Sequence, residues 1–157
     1  MKLRINLLTS ALAVLATAFA SHAIADDMTS FATGGFASGL MTMDMMHKMD
    51  TNHDGMVSKD EWTAFQEKMF AALDKDKSGY VDEKEFLAVS NENLAFATAA
   101  YVQGLGTKEM FAKLDTNHDG KISHDEFMSY MQKGFDMMDK SKKGMLGPTD
   151  WIHPTGK

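Results

Sequence analysis

The chain has 157 residues, of which 44% are hydrophobic and 24% are charged, and its formal net charge is −6. The acidic balance, with a single arginine at position 4, speaks against nucleic acid and anionic membranes as partners. Because the chain has no cysteine, its fold does not depend on disulfide bonds.

The first 25 residues have the pattern of a secretory signal peptide. Lys2 and Arg4 provide a positive start, an apolar run covers 7–20, and residues 23–25 have the A-x-A form of a cleavage site. Cleavage would leave 132 residues, which suits one domain, and a net charge of −8, because the segment holds two basic residues and no acidic ones. We expect export, with the periplasm of a Gram-negative bacterium favoured over the cell exterior. A retained membrane anchor is the alternative.

Residues 26–39 are rich in Gly, Ser, Thr and Ala, and we expect this segment to be flexible. We assign residues 40–157 to a single domain. Residues 40–49 are predicted to form a helix that leads into the first of several acidic loops. Met45, Met46 and Met49 fall on one face of that helix and are predicted to be buried.

The first acidic loop is the twelve-residue stretch 50–61, DTNHDGMVSKDE. A hard divalent cation takes about six to eight oxygen ligands, which a short loop supplies only by folding around the ion. Gly55 allows the sharp bend, and Glu61 can reach back with both carboxylate oxygens. Oxygen donors occupy six positions of the loop. They are Asp50, Asn52, Asp54, the carbonyl of Met56, Ser58 through a water molecule, and Glu61.

Two further loops repeat this pattern. Residues 115–126, DTNHDGKISHDE, are identical to the first loop at nine of twelve positions, and residues 74–85, DKDKSGYVDEKE, place oxygen donors in the same roles. Three loops in register favour metal sites over solvated acidic turns. The predicted ligands of the second loop are Asp74, Asp76, Ser78, the carbonyl of Tyr80, Asp82 and Glu85. Those of the third loop are Asp115, Asn117, Asp119, the carbonyl of Lys121, Ser123 and Glu126.

A fourth loop, residues 139–150 with the sequence DKSKKGMLGPTD, is degenerate. Lys143 would point an ammonium group at the cation from the fifth position, and Gly147 offers no side chain at the ninth. Asp150 is one methylene shorter than glutamate. We interpret this loop as a structural partner that binds metal weakly or not at all.

The first and third loops match the EF-hand calcium pattern D-x-[DN]-x-[DN]-G-x5-E in full, so the chain resembles the EF-hand superfamily. The resemblance implies an all-α, compact helical bundle with four loops, three intact and one degenerate, that pair through short β strands. It also implies about three bound Ca²⁺ ions. Apolar residues at helical spacing flank the loops. They are Trp62, Phe65, Met69, Phe70, Leu73, Phe86, Val89, Met110, Phe111, Leu114, Phe127, Tyr130 and Met131.

The loop spacing predicts which loops pair. Only twelve residues separate Glu61 from Asp74, and again Glu126 from Asp139, which is one helix of about 18 Å. Two loops at opposite ends of one helix cannot pair with each other. The 29 residues between the second and third loops, with a break at 104–106, leave room for two helices and a turn. We therefore predict that the second loop pairs with the third, and the first with the fourth.

Close loop spacing in a secreted bacterial chain also resembles lanmodulin, a family of periplasmic lanthanide-binding EF-hand proteins. The loops depart from that family, since Thr51, Lys75 and Thr116 stand where it has proline, and only Asp82 supplies its ninth-position aspartate. The first and third loops offer three carboxylates each, and the second offers four. We therefore expect calcium as the native ion, with lanthanide binding as the alternative.

Five of the fifteen methionines cluster around His47 in residues 41–49. Thioethers with imidazole form copper(I) or silver sites in some proteins, which makes a periplasmic copper-binding role an alternative. The favoured interpretation is that these methionines fill the core. A third possibility is a methionine-lined groove that opens on metal binding and takes a protein target.

The sequence offers no nucleophile–base pair, phosphate loop or open zinc triad, so we expect no enzymatic activity. His53 and His118 stand at the fourth positions of their loops and should point to solvent, and His124 and His153 have no companion ligands. The expected role is that of a calcium buffer or carrier, or of a metal-responsive binding module.

Overall fold

A computed structural model describes residues 35–92 and 94–151 of the chain. This part is mostly helical, as the sequence predicts. The helices are α1 (Gly35–Leu40), α2 (Met43–Met49), α3 (Lys59–Leu73), α4 (Glu83–Leu87), α5 (Ala99–Leu105), α6 (Lys108–Leu114), α7 (His124–Met138) and α8 (Pro148–Trp151). The strands are β1 (Val57–Ser58), β2 (Tyr80–Asp82), β3 (Lys121–Ser123) and β4 (Met145–Leu146). The predicted signal segment 1–25 lies outside the described residues.

Four short strands form two antiparallel pairs, and the pairing is the one that the loop spacing predicts. Strand β1 of the first loop pairs with β4 of the fourth, so that Val57 lies opposite Leu146. Strand β2 of the second loop pairs with β3 of the third, with Val81 opposite Ile122. All four of these apolar side chains are buried, so each strand pair also anchors its loops to the core.

The two longest helices, α3 and α7, pack against each other in antiparallel orientation. Trp62 near the start of α3 lies 5.6 Å from Phe135 near the end of α7, measured between ring centroids. At the opposite end, Phe70 lies 5.6 Å from Phe127. Each helix has 15 residues and therefore spans about 22 Å. The two strand pairs lie at the opposite ends of this helix pair.

The linker between the second and third loops contains two helices, α5 and α6, with a turn at residues 106–107, as predicted. The outgoing helix of the second loop is shorter than its apolar pattern suggests, because α4 ends at Leu87. The chain leaves the helix there, and Val89 packs against Gly106, where an added Cβ would lie 2.1 Å from the Val89 Cγ2. Val89 is therefore partly buried outside a helix.

The N-terminal region differs from the prediction in two ways. Of the segment 26–39 expected to be flexible, the structure describes 35–39, and these residues lie in α1, with Phe36 and Leu40 buried. The predicted helix 40–49 is interrupted after Leu40. Thr42 begins the new helix α2, since its Oγ1 accepts a hydrogen bond from the Met45 backbone N–H at 3.2 Å.

The core is continuous through the described residues. Apart from Val89, it includes all of the apolar residues that flank the loops at helical spacing. Met45, Met46 and Met49 are at most 1% exposed, so the core interpretation of these three side chains is confirmed. Among the described helices, none combines the length and apolar character that a membrane crossing requires.

Trp62 and Trp151 are both buried, but only Trp62 has a hydrogen-bond partner for its indole N–H among the described residues. Comparing them tests how much this hydrogen bond contributes to stability. The Trp62 Nε1–H donates to the Met131 carbonyl at 3.2 Å, whereas the Trp151 Nε1 has no partner among the described residues. Trp62→Phe should therefore lower the free energy of unfolding by about 1 kcal/mol more than Trp151→Phe. Urea denaturation of the two variants measures the difference, and equal losses would contradict it.

Candidate metal centres

The first loop curls around the carboxylate of Asp50, which is buried and follows directly after α2. Its Oδ1 accepts a hydrogen bond from the Asp54 N–H at 3.2 Å, and its Oδ2 accepts one from the Gly55 N–H at 2.9 Å. Gly55 has φ of 83°, a left-handed conformation that favours glycine. His53, at φ of 59°, is exposed as predicted. The backbone thus forms a closed turn around the Asp50 carboxylate.

Glu61 bridges the two ends of this loop. Its Oε1 accepts hydrogen bonds from the N–H groups of Thr51 (2.9 Å) and Asn52 (3.2 Å) and from the Thr51 hydroxyl (3.0 Å). Its Oε2 accepts from the Ser58 N–H (2.9 Å) and hydroxyl (2.8 Å). In return, the Ser58 Oγ accepts from the Glu61 N–H and completes a capping box at the start of α3.

These contacts fix the charge of Glu61. Desolvation by burial raises its pKa, but hydrogen bonds from Ser58, Asn52 and Thr51 outweigh that effect and lower the pKa to about 2. The group is therefore a carboxylate at neutral pH, with both oxygens turned into the loop. A cation at the loop centre would compete with these donors for the same oxygens.

The third loop repeats this arrangement, as its near-identical sequence requires. The Glu126 Oε1 accepts from the Thr116 N–H (3.0 Å) and the Asn117 N–H (3.1 Å), and its Oε2 accepts from the Ser123 N–H (2.9 Å). Desolvation raises the pKa of Glu126, but the hydrogen bonds to its carboxylate lower it by more. The pKa of Glu126 is therefore about 2, as for Glu61. Asp115 is buried and takes the role of Asp50.

The second loop gathers its carboxylates most closely. Asp74, Asp76 and Glu85 each place one carboxylate oxygen within 4.8 Å of the others. The Glu85 Oε1 accepts from the N–H groups of Lys75 (3.0 Å) and Asp76 (3.3 Å), and Oε2 accepts from that of Asp82 (3.1 Å). Hydrogen bonds from Ser78 lower the pKa of Asp76. Three anionic groups at this distance repel each other unless a cation lies between them.

The donor sets of these three loops fit Ca²⁺. Each loop offers oxygen ligands and combines a buried first aspartate with a glutamate at the twelfth position. The assignment of individual ligands stays a prediction.

The fourth loop keeps the loop backbone but not the ligand geometry. Asp139 is buried and accepts hydrogen bonds from the Lys143 N–H (3.2 Å) and the Gly144 N–H (2.7 Å), as the first aspartates of the other loops do. Lys142 (φ of 53°) and Gly144 (φ of 72°) adopt positive φ values as their counterparts do. Asp150, however, accepts from the Gly147 N–H at 2.9 Å, and no contact of the described residues joins it to the start of the loop. The loop holds its shape without the closing carboxylate.

One contact beside the third loop was missed by sequence reasoning. The His124 Nε2 lies 2.8 Å from the Glu67 Oε2, and the His124 ring packs edge-on against Phe70 at 5.1 Å. The hydrogen bond that the His124 ring donates to the Glu67 carboxylate raises the pKa of His124. The sequence carries no signal for this contact, because Glu67 is 57 residues away in the chain. It joins the start of α7 to α3 and supplies no metal ligand.

Comparisons with known proteins agree with this geometry. A family model described as an EF-hand domain pair matches residues 63–132, and a second, described as an EF hand, matches 42–66. Parvalbumin beta from Graptemys geographica is 40% identical over 65 residues, which cover 41% of this chain and 58% of the parvalbumin. Calcium-binding protein CP1 from Arabidopsis thaliana is 29% identical over 114 residues, 62% of this chain and 71% of CP1. Calcium-dependent protein kinase 14 from Arabidopsis thaliana is 28% identical over 111 residues, and the match spans 63% of this chain but only 20% of the kinase.

The intact backbone of the fourth loop predicts that it can be rebuilt into a metal site. The triple variant Lys143→Asp, Gly147→Ser, Asp150→Glu restores oxygens at the fifth, ninth and twelfth positions, and Gly147 has room for a side chain. Isothermal titration calorimetry with calcium should show one more ion per chain than the unmodified protein. The double variant Lys143→Ala, Gly147→Ala is the control, since it removes the ammonium but adds no ligand. An unchanged stoichiometry in the triple variant would contradict the prediction.

Proposed function

Because the chain belongs to the EF-hand superfamily, we propose that it is an exported calcium-binding protein that acts as a buffer or carrier of the ion, or as a metal-responsive binding module. The observation that supports this most directly is the position of the twelfth-position carboxylates. Glu61, Glu85 and Glu126 each bridge the start of a loop to its ninth position through backbone N–H groups. A cation that binds between these points ties both ends of the loop together.

We propose one Ca²⁺ in each of the first three loops and none in the fourth. The second and third loops lie side by side through the β2–β3 pair, so both members of that pair would hold ions. The first loop is paired through β1–β4 with the loop that lacks the closing carboxylate. Ion binding neutralises carboxylates that repel each other in the metal-free chain, and we expect the folded state to gain stability as a result.

Export rests on the signal pattern of residues 1–25. Outside the cytosol free calcium is abundant, so a stabilising or carrier role suits the chain better than fast signalling. The match to calcium-dependent protein kinase 14 covers only 20% of the kinase, and this chain offers no catalytic motif of its own.

Lanthanide binding is the second candidate, and the second loop supports it. Trivalent ions favour a larger number of carboxylates, and Asp74, Asp76, Asp82 and Glu85 give this loop four. Three of these four place oxygens within 4.8 Å of one another.

The copper alternative has weaker support. Of the five methionines in 41–49, Met45, Met46 and Met49 are buried in the core, so their thioethers already pack against apolar neighbours. Met41 and Met43 are partly buried against the same core, and His47 is exposed. Among the described residues, the exposed large apolar side chains are Met56 and Tyr80, which both lie in loops rather than in a groove.

A far-UV circular dichroism titration tests the proposed function. Metal-stripped chain without residues 1–25 is titrated with calcium and, separately, with lanthanum. We expect calcium to increase helical ellipticity and thermal stability at micromolar or higher concentration. The matched control is the variant Glu61→Gln, Glu85→Gln, Glu126→Gln, which keeps the size of each side chain but removes its charge and should lose the response.

Two outcomes would contradict calcium as the native ion. A response to lanthanum that excess calcium cannot produce would assign the chain to the lanthanide-binding class. A response to neither ion, together with copper(I) binding that survives the triple glutamine substitution, would assign the function to residues 41–49.

A further inference from the structure

Helix α1 packs on helix α5 through a contact that only glycine permits. A Cβ added at Gly39 would lie 2.5 Å from the backbone atoms of Ala100 and Tyr101, so any larger residue would force the two helices apart. Phe36 and Leu40 of α1 are buried in this interface, and the Phe36 ring lies 5.0 Å from the Tyr101 ring. We call α1 and α5 together the clasp.

The clasp contacts the helix that enters the first loop. Thr98 is the residue that caps the start of α5, and its N–H donates a hydrogen bond to the Met45 Sδ at 3.3 Å. Met45 is in α2, which ends one residue before the first loop ligand, Asp50. The clasp is also joined to α2 through the chain, because only residues 41 and 42 separate α1 from α2.

The clasp contacts the helix that leaves the first loop as well. The Tyr101 hydroxyl donates to the Gln66 Oε1 at 3.3 Å, and both side chains are fully buried. Gln66 lies near the middle of α3, which begins two residues before Glu61. Tyr101 of α5 therefore contacts α3, while Thr98, the residue that caps α5, contacts α2.

We propose that the clasp holds α2 and α3 in the relative orientation that the first loop needs to bind its ion, and that it sets the affinity of this loop alone. The proposal rests on the calcium-binding function proposed above. The second and third loops are paired with each other and organise each other through β2–β3. The first loop is paired with a loop that lacks the closing carboxylate, so the orientation of its flanking helices depends on the clasp. By linkage, an ion in the first loop tightens the clasp.

The glycine at the sixth position of each loop provides a separate reporter for each site. The N–H groups of Gly55, Gly79 and Gly120 donate to the first aspartate of their own loops at 2.9, 2.9 and 3.0 Å. In ¹⁵N-labelled full-length chain, their NMR resonances follow calcium binding loop by loop. The test variant is Gly39→Val, and the control is Ser38→Val, which adds the same branched side chain at an exposed position of the same helix.

We expect Gly39→Val to raise the calcium Kd of the first loop by about 5-fold or more relative to Ser38→Val, as is typical of a coupling between sites. The calcium Kd values of the second and third loops should change by less than about twofold, which is the scatter expected of independent sites. Met45→Leu is a second variant that removes the sulfur acceptor at similar volume and keeps the fold. This variant should also raise the calcium Kd of the first loop, but by a smaller factor than Gly39→Val.

Hydrogen exchange gives a readout that does not need bound metal. Amides of α5 should exchange faster in metal-free Gly39→Val than in metal-free Ser38→Val. In the unmodified chain, calcium should slow their exchange, and this protection should be lost in Glu61→Gln but kept in Glu126→Gln.

The proposal would be overturned if the calcium Kd rose equally in all three loops. It would also be overturned if the calcium Kd of the first loop were unchanged in both Gly39→Val and Met45→Leu. If no glycine amide responds to calcium in the Ser38→Val control, the proposed calcium-binding function itself is wrong. The exchange of α5 in the metal-free variants separates that failure from a failure of the clasp.

Discussion

The constraint on which the rest of the structure depends is that one helix serves two loops. Helix α3 begins at the end of the first loop and ends at the start of the second, and α7 does the same for the third and fourth. A straight helix of about 22 Å keeps its two loops apart. Each loop can therefore form a strand pair only with a loop at an end of the other long helix. Antiparallel packing of α3 on α7 satisfies both pairs at once, and the buried contacts between Trp62 and Phe135 and between Phe70 and Phe127 stabilise that arrangement.

This arrangement gives the degenerate fourth loop a structural role. The fourth loop lacks a closing carboxylate, yet Asp139 and the positive φ values of Lys142 and Gly144 hold it in the shape of the others. Without that shape, β1 would have no partner and Val57 would lose its opposite neighbour, Leu146. All four loops therefore take part in the fold, while the first three carry the predicted pattern of oxygen donors. A cation bound among the carboxylates of a loop would reduce their mutual repulsion, and this would couple folding to metal binding.

The helical fold and the pairing of the loops were predictable from the sequence. The features that the sequence analysis missed have physical reasons. Loop chemistry and loop spacing predicted the helical fold and both strand pairs, because ligand positions and helix length are local properties of the chain. The early end of α4 and the His124–Glu67 contact were missed, because each depends on a residue distant in sequence. The break after Leu40 was missed although it is local, because the cap at Thr42 lies inside an apolar pattern that predicts one continuous helix. Gly39 is the strongest example, since its need for glycine comes from the backbone of Ala100 rather than from its own turn.

The most direct test of the account is a crystal structure of the calcium-loaded chain. The account requires an ion in each of the loops 50–61, 74–85 and 115–126, with both carboxylate oxygens of Glu61, Glu85 and Glu126 within about 2.3–2.6 Å of it. It also requires that loop 139–150 holds no ion and still pairs with the first loop. Ions bound outside these loops, or glutamates that remain hydrogen-bonded to the backbone while an ion is present, would contradict it.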